Sequence, residues 1–150
     1  MNQLSYSAAG LALTKSFEGL RLEAYRDVGG VLTIGYGHTG PDVTDGETIT
    51  EECAEMLLRA DIAPCVAFVN RVVTVPLTQG QFDALVDFAY NEGREHLLNS
   101  TLLKMVNASR FDAAAAEFGI WVYAAGLPQM GLVRRRDAEQ VMFAGEAFQA

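Results

Sequence analysis

Residues 17–40 read FEGLRLEAYRDVGGVLTIGYGHTG. Between residues 31 and 36 large apolar side chains alternate with small ones, which is typical of a β-strand with two different faces. Gly29-Gly30 forms a turn back to residues 22–27. The apolar spacing before this stretch is that of a helix, and Gly19 favours its end. The sequence therefore predicts a helix followed by an antiparallel hairpin.

The rest of the chain is predicted to be helical. A long helix begins at a cap on Thr48 or Thr50, contains Pro64 and ends at Pro76. The predicted helices cover about residues 7–20, 50–75, 78–91, 100–107, 110–124 and 132–144. The predicted fold class is α+β and mostly helical. It consists of a small hairpin lobe at about 13–60, a linking helix at about 50–75, and a helical lobe at about 76–150 that includes the N-terminal helix. Such an architecture leaves a groove between its lobes, and grooves of this kind are common ligand sites.

Charge excludes several classes of protein. The chain has 150 residues, 11 basic and 19 acidic side chains and a net charge of −8. Both halves are acidic, with 5 basic and 10 acidic residues before Pro76 and 6 and 9 after it. A nucleic-acid binder needs a basic face, and electrostatic membrane binding needs a basic patch. We therefore expect no nucleic-acid partner and no stable membrane association.

Neither cysteines nor metal ligands indicate a further site. Cys53 and Cys65 are 12 residues apart in one predicted helix, which separates them by about 18 Å. A disulfide needs Cα atoms about 4.4–6.8 Å apart, so both are expected to be free thiols. With two histidines and no metal-ligand spacing, no metal and no cofactor are expected.

Two carboxylates and a hydroxyl are the candidates for chemistry. Glu18 lies near the end of the first helix, where apolar neighbours favour its protonated form, and Asp27 and Thr33 lie on the two arms of the hairpin. A protonated carboxyl can donate a proton to a leaving oxygen, while an ionised one holds or activates water or stabilises positive charge on a sugar ring. The alternative is that these residues are ordinary surface side chains in contact with solvent.

The hairpin supplies a geometric test of this hypothesis. A two-residue Gly29-Gly30 turn would pair Asp27 with Leu32 and put Thr33 on the opposite face. A loop centred on Gly30, or a bulge, would place Asp27 across from Thr33 instead. The catalytic hypothesis therefore predicts an odd loop or a bulge.

These residues resemble the signature of phage-type lysozymes, a Glu followed after eight residues by an Asp and after five more by a Thr, here Glu18, Asp27 and Thr33. Further stretches resemble the same family in the same order: IGYGHTG at 34–40, PLTQGQFDAL at 76–85, FAYN at 88–91, STLLK at 100–104 and GLVRRR at 131–136. The resemblance extends from about residue 11 to about residue 145.

The resemblance implies an endolysin muramidase that cuts the β-1,4 bond between N-acetylmuramic acid and N-acetylglucosamine in peptidoglycan. It implies that Glu18 is the general acid and that Asp27 and Thr33 position the attacking water, which would invert the anomeric carbon. A lytic transglycosylase and a catalytically silent glycan-binding module are the alternatives. The family picture also implies a monomer that waits in the host cytoplasm until a holin releases it to the cell wall.

The resemblance assigns further residues to the substrate: Gly35, Tyr36, Tyr90, Asn91 and one arginine of the triplet 134–136, for which we choose Arg135. Packing is the alternative for the glycine and both tyrosines, and a solvated helix start, with Asp137 and Glu139 as partners, is expected for the other two arginines. The resemblance also pairs His38 with Asp61. Residues 90–96 depart from the family pattern, because they carry more charge than it leads us to expect.

Overall fold

The computed structural model describes residues 2–146. Its helices and strands follow in the order α1 (Ala8–Glu18), β1 (Arg21–Arg26), β2 (Leu32–Gly35), β3 (His38–Thr39), α2 (Glu51–Val72), α3 (Gln79–Glu92), α4 (Arg94–Leu98), α5 (Thr101–Asn107), α6 (Phe111–Glu117), a 3-10 helix (Phe118–Ile120), β4 (Tyr123–Ala124), β5 (Leu127–Pro128) and α7 (Met130–Phe143). The predicted α+β, mostly helical fold class is confirmed. The described chain forms two compact units, Lys15–Pro64 and residues 2–14 with 65–146.

The Lys15–Pro64 unit contains a three-stranded antiparallel sheet in the order β1-β2-β3. Tyr25 pairs with Thr33, and the Asp27 N–H donates to Val31 O, so the connecting loop has an odd number of residues, 28–30. The pairing also shifts between Arg21 and Tyr25, which is a bulge. The predicted odd loop or bulge is confirmed. The predicted position of the loop was wrong, because the loop is centred on Gly29 and Thr33 faces Tyr25 instead of Asp27.

Helix α2 begins one residue after Thr50. The Thr50 hydroxyl accepts a hydrogen bond from the Cys53 N–H, whereas Thr48 forms an isolated bridge with Glu23. Thr50 is therefore the cap, and the alternative at Thr48 was wrong. The helix runs through Pro64 and ends at Val72, three residues before the predicted end.

Asn107 explains this early end of α2. Its amide donates to Val72 O, and its Oδ1 accepts from the Thr74 N–H. The side chain thus satisfies a carbonyl and an amide that a longer helix would have bonded internally. The cap comes from a residue distant in sequence, so the local pattern gave no sign of it.

The helical unit packs around α3. Thr78 and Gln81 form a capping box at its start, and residues 82–89 are all buried. Phe88 contacts Phe118 and Trp121 edge to face, at centroid distances of 5.8 and 5.4 Å. Trp121 is half-buried. The core of this unit is thus aromatic on one side of α3.

The helix predicted at 110–124 was wrong in its second half. Helix α6 ends at Glu117, and a 3-10 helix and the β4–β5 hairpin follow. Ala125 and Gly126 both have positive φ, 53° and 79°, as in the tight turns that match the twist of a hairpin. Apolar spacing favoured a continuous helix to residue 124, but the α-helix ends at Glu117. Helix α4 was not predicted.

Both cysteines are free thiols, which confirms that prediction. Within residues 2–146, no group of three or more His, Cys, Asp or Glu side chains is placed to hold a metal ion. None of the described helices is both long and apolar enough to cross a membrane.

Candidate active site

Glu18 is the last residue of α1, and the chain turns into the sheet directly after it. Its side chain is half-buried. Gly37, between β2 and β3, lies beside it: a Cβ built on Gly37 would stand 3.7 Å from Glu18 Oε2. Gly37 has a φ of 89°, which disfavours any residue with a Cβ. The backbone at this turn therefore approaches the carboxylate without a side chain between them.

Asp27 closes the hairpin loop with its side chain. Its Oδ1 accepts hydrogen bonds from the Gly29 N–H at 2.8 Å and the Val31 N–H at 2.9 Å. The residue is exposed, and Oδ2 makes no hydrogen bond with any residue between 2 and 146. The two backbone donors thus orient the carboxylate while one of its oxygens stays available to solvent.

Thr33 lies on the same face of the hairpin as Asp27, because the pairing of Asp27 with Val31 puts residues 31 and 33 on that face. The Thr33 hydroxyl donates its hydrogen to Val31 O at 2.9 Å. Its oxygen can still accept a hydrogen bond. The side chain is 4% exposed. One residue, Val31, therefore orients both polar side chains, a role that the sequence did not reveal.

His38 lies between two carboxylates. Nδ1 is 2.8 Å from Asp61 and Nε2 is 3.0 Å from Asp42, so the predicted pair with Asp61 is confirmed. Both ring nitrogens face acceptors, which suits the protonated ring. Burial alone would lower the pKa of His38, but the hydrogen bonds to Asp61 and Asp42 raise it above its usual value. This cluster holds β3 to the loop after it and to α2. Asp42 was not predicted.

Two other predicted substrate residues lie in the same unit. Gly35 is buried, and a Cβ on it would stand 3.4 Å from the Ala54 Cβ, which supports the packing alternative. Tyr36 is half-buried, with Lys15 Nζ 5.7 Å from its ring centroid. The substrate roles of both residues stay predictions.

The remaining predicted substrate residues lie in the helical unit. Tyr90 is half-buried, and Asn91 accepts a hydrogen bond from Arg136 Nη2. Arg135 is 4% exposed and binds Asp87 through Nε and Nη2, at 2.9 and 2.8 Å. Their substrate roles likewise stay predictions.

The solvated position expected for Arg136 was wrong. Its side chain is fully buried, contacts Glu92 at 2.8 Å and stacks on Phe88 at 5.1 Å. Arg136 Nη2 donates a hydrogen bond to Glu139 Oε2 at 3.2 Å, while Arg136 Nε and Glu139 Oε1 are 2.8 Å apart but are not aligned as a hydrogen bond. The predicted partner Glu139 is thus correct, in a buried setting. Arg134 is exposed, as expected.

Buried acidic residues on α3 and α7 complete this network. Asp83 accepts from the Ser7 N–H, and Asp87 accepts from the Thr14 hydroxyl at 2.7 Å. Burial raises the pKa of Glu139 well above its usual range, and the neighbouring Asp87 raises it further. Burial would raise the pKa of Asp87 too, but hydrogen bonds from Glu139 and Arg135 hold it below its usual value. Glu139 is therefore the neutral member of the pair.

The sequence contains a signal for this network. Asp83 and Asp87 are four residues apart in an otherwise apolar segment, FDALVDFA, so both lie on one face of a helix that is buried. Buried carboxylates require partners. The triplet of arginines at 134–136 is the densest group of cations in the sequence.

Comparison with known proteins identifies the family. The model of the family described as phage lysozyme matches residues 15–139. The endolysin of Bacillus phage B103 is 49% identical over 93% of this chain and 54% of its own length. The endolysin of Acyrthosiphon pisum secondary endosymbiont phage 1 is 44% identical over 91% of this chain and 96% of its own length.

A solved structure agrees with these sequence matches. The endolysin from Escherichia coli O157:H7 phage FAHEc1 superposes with a TM-score of 0.92 at 38% identity, covering 99% of both chains. The chain spans about half the length of the Bacillus phage endolysins that it matches. Its lysozyme-like α+β fold is thus shared over nearly all described residues with a phage protein. On the extent of the match to the family model, the chain belongs to the phage lysozyme family.

Proposed function

We propose that this protein is an endolysin muramidase, which hydrolyses the β-1,4 bond between N-acetylmuramic acid and N-acetylglucosamine in bacterial peptidoglycan. The observation that carries the proposal is the arrangement of Asp27 and Thr33. Both side chains are bonded to Val31 on one face of the hairpin that follows the helix ending at Glu18. An activated water and a proton donor are the two requirements of inverting glycoside hydrolysis.

The proposed reaction has one step. Glu18 donates its proton to the glycosidic oxygen as the bond from that oxygen to the anomeric carbon breaks. A water held by Asp27 Oδ2 and the Thr33 oxygen attacks the anomeric carbon from the opposite face and gives its proton to Asp27. The product is a reducing sugar with inverted configuration. No metal or organic cofactor takes part in this proposal.

The names of the relatives support lysis of the bacterial wall, without specifying the bond that is cut. The matched relatives are named endolysins, and the family is named for lysozyme. We infer from these names that the substrate is the bacterial wall. Gly35, Tyr36, Tyr90, Asn91 and Arg135 are proposed to contact the glycan strand.

The first experiment measures release of soluble fragments from purified peptidoglycan. Glu18→Gln keeps the size of the side chain and removes the acid, and we expect it to lower the rate by roughly 10²–10⁴-fold. Glu23→Gln is the matched control, because Glu23 is an exposed carboxylate on β1, the strand that follows Glu18. Equal rates for Glu18→Gln and the wild type would remove Glu18 from the mechanism.

A second pair of variants tests the water. Asp27→Asn keeps an acceptor for the two backbone donors but cannot take a proton, and Thr33→Val removes the hydroxyl with little change in volume. We expect Asp27→Asn to lower hydrolysis at least as far as Thr33→Val. If both variants still cut the wall at the wild-type rate, no positioned water is needed, and a lytic transglycosylase or a different water site follows. Binding of the wall without any release by the wild type indicates a glycan-binding module.

We also propose that the protein stays in the host cytoplasm as a monomer until a holin opens the membrane. Expression of the chain alone in a bacterial host should then leave the culture intact, and permeabilising the inner membrane should clear it. Clearing without permeabilisation would contradict holin dependence. Sedimentation of the purified protein tests the monomer.

A further inference from the structure

Arg21 and Tyr25 on β1 form a stacked pair of a cation and an aromatic ring. The Arg21 Cζ lies 4.2 Å from the centroid of the Tyr25 ring. Arg21 is exposed and Tyr25 is half-buried. Apart from this stack, the guanidinium makes no hydrogen bond and no ion pair with any residue between 2 and 146. A planar cation that is held on a ring with its N–H donors unused suits an oxyanion, which it can bind through two parallel hydrogen bonds.

The bulge in β1 brings these two side chains together. Residues four apart in a regular strand have Cα atoms about 13 Å apart. The partners of Arg21 and Tyr25 on β2, however, are only two residues apart. Residues 22–24, which lie between them, are fixed from the other side by backbone hydrogen bonds of 2.8 and 2.9 Å to residues 47–49. The close approach of the guanidinium to the ring is therefore determined by the backbone of the sheet.

The stacked pair lies beside the proposed water site. Tyr25 is the direct cross-strand partner of Thr33, so both side chains lie on the face of the hairpin that also carries Asp27. The proposed reaction attacks the anomeric carbon of N-acetylmuramic acid at this face. That sugar carries a lactyl ether on C3, two carbons from the anomeric carbon, whereas N-acetylglucosamine has a hydroxyl group there. A carboxylate-binding group next to Tyr25 is therefore placed to distinguish the two sugars.

We propose that Arg21, held on Tyr25, binds a carboxylate on the lactyl arm of the N-acetylmuramic acid residue that is attacked, an inference that rests on the proposed function. On unsubstituted strands this is the lactyl carboxylate itself, and on substituted strands it is the carboxylate of a D-Glu residue joined to the lactyl group through L-Ala. Either group accepts two N–H donors from a guanidinium. The chain has a net charge of −8, so a cation at this point offsets the repulsion of an anionic strand locally.

The test measures binding of soluble glycan strands by isothermal titration calorimetry, with Glu18→Gln present in every protein to slow cleavage. One strand has free lactyl carboxylates, a second has each of them converted to the N-methylamide, and a third carries L-Ala–D-Glu on each lactyl group. We expect Arg21→Gln to raise the Kd of carboxylate-bearing strands roughly fivefold or more, and to leave the Kd of the methylamide strand unchanged. A rise for the first strand identifies the lactyl carboxylate, and a rise for the third strand alone identifies that of D-Glu.

Arg71→Gln is the matched control. Arg71 is exposed on α2 and also stacks on an aromatic ring, that of Phe68, at 5.4 Å. Its substitution removes the same charge outside the hairpin and should leave every Kd unchanged. Arg21→Lys keeps the charge but loses the planar fork, so it should restore only part of the affinity. Far-UV circular dichroism of each variant confirms that it is folded.

Four results would overturn the inference: no measurable binding of any strand, the same Kd with and without Arg21→Gln on both carboxylate-bearing strands, an equal rise on the methylamide strand, or the same rise for Arg71→Gln. The titration needs no turnover. A protein that cuts the wall but binds strands without regard to Arg21 refutes only this inference. A protein that binds carboxylate-bearing strands through Arg21 but cuts nothing refutes only the proposed reaction.

Discussion

The two buried carboxyl groups, Asp87 and Glu139, are expected to respond in opposite ways to the same chemical change. Asp87 is 1% exposed, accepts one bond from Thr14 and two from Arg135, and has a lowered pKa. Glu139 is fully buried beside it and has a raised pKa. Asp87→Asn removes a negative charge. Glu139→Gln replaces a neutral carboxyl group by a neutral amide.

The expected change in the free energy of unfolding depends on the groups that each substitution leaves without a partner. Asp87→Asn leaves the buried Arg135 guanidinium without its carboxylate, and breaking a buried pair costs about 3–5 kcal/mol. At roughly 2–4 °C per kcal/mol for a chain of this size, Tm should fall by about 6–20 °C. Glu139→Gln keeps the volume and a donor toward Asp87, so the free energy of unfolding should change by less than about 1 kcal/mol below about pH 4.3, where Glu139 is protonated in the unfolded chain too. At pH 7 the variant should be more stable than the wild type, because Gln does not lose stability as pH rises.

The assay is urea unfolding followed by circular dichroism at several values of pH. Because the pKa of Glu139 is raised on folding, its contribution is fully present below the unfolded value, about 4.3, and is lost as pH rises through the folded value. Glu139→Gln should therefore remove part of the fall in stability with rising pH. A loss at pH 7 for Glu139→Gln that matches that of Asp87→Asn would refute the assignment of Glu139 as the neutral partner.

Three further predictions concern other parts of the molecule. Gly37→Ala should cost about 1–2 kcal/mol in a thermal melt because of its positive φ, and should lower wall lysis because the added Cβ stands beside the Glu18 carboxylate; wild-type activity would contradict this. The raised pKa of His38 means that its ion pairs stabilise the fold below about pH 6.5 and weaken as pH rises, so urea midpoints of His38→Gln should lack that dependence. Lysis by this acidic protein should rise with NaCl before it falls, since salt screens repulsion from the anionic wall, and a decline from the lowest salt onward would contradict it.

Local chemistry made the first part of the chain predictable. Gly19 and the alternation after it were enough to place the end of α1 and the hairpin. The odd loop was predicted from the requirement that Asp27 and Thr33 share a face. Its centre was not, because the Asp27 side chain bonds the N–H groups of Gly29 and Val31 and thereby closes the loop one residue earlier than two glycines suggest.

Long-range contacts made the helical unit harder to predict. The end of α2 depends on Asn107, which is 35 residues from its partner Val72. The burial of Arg136 depends on Glu92 and Glu139, so a triplet of arginines looked like a solvated surface until its partners were known. Apolar spacing favoured an α-helix up to residue 124, whereas the chain forms a 3-10 helix at Phe118–Ile120 and then a hairpin with positive φ at Ala125 and Gly126.

Mass spectrometry of peptidoglycan digested by the wild type and by Glu18→Gln tests the roles of Glu18, Asp27 and Thr33 together. We predict muropeptides that end in reducing N-acetylmuramic acid from the wild type, and undigested wall from the variant. Products ending in 1,6-anhydro-N-acetylmuramic acid would contradict hydrolysis by a water held between Asp27 and Thr33. Reducing muropeptides from both proteins would contradict the role of Glu18.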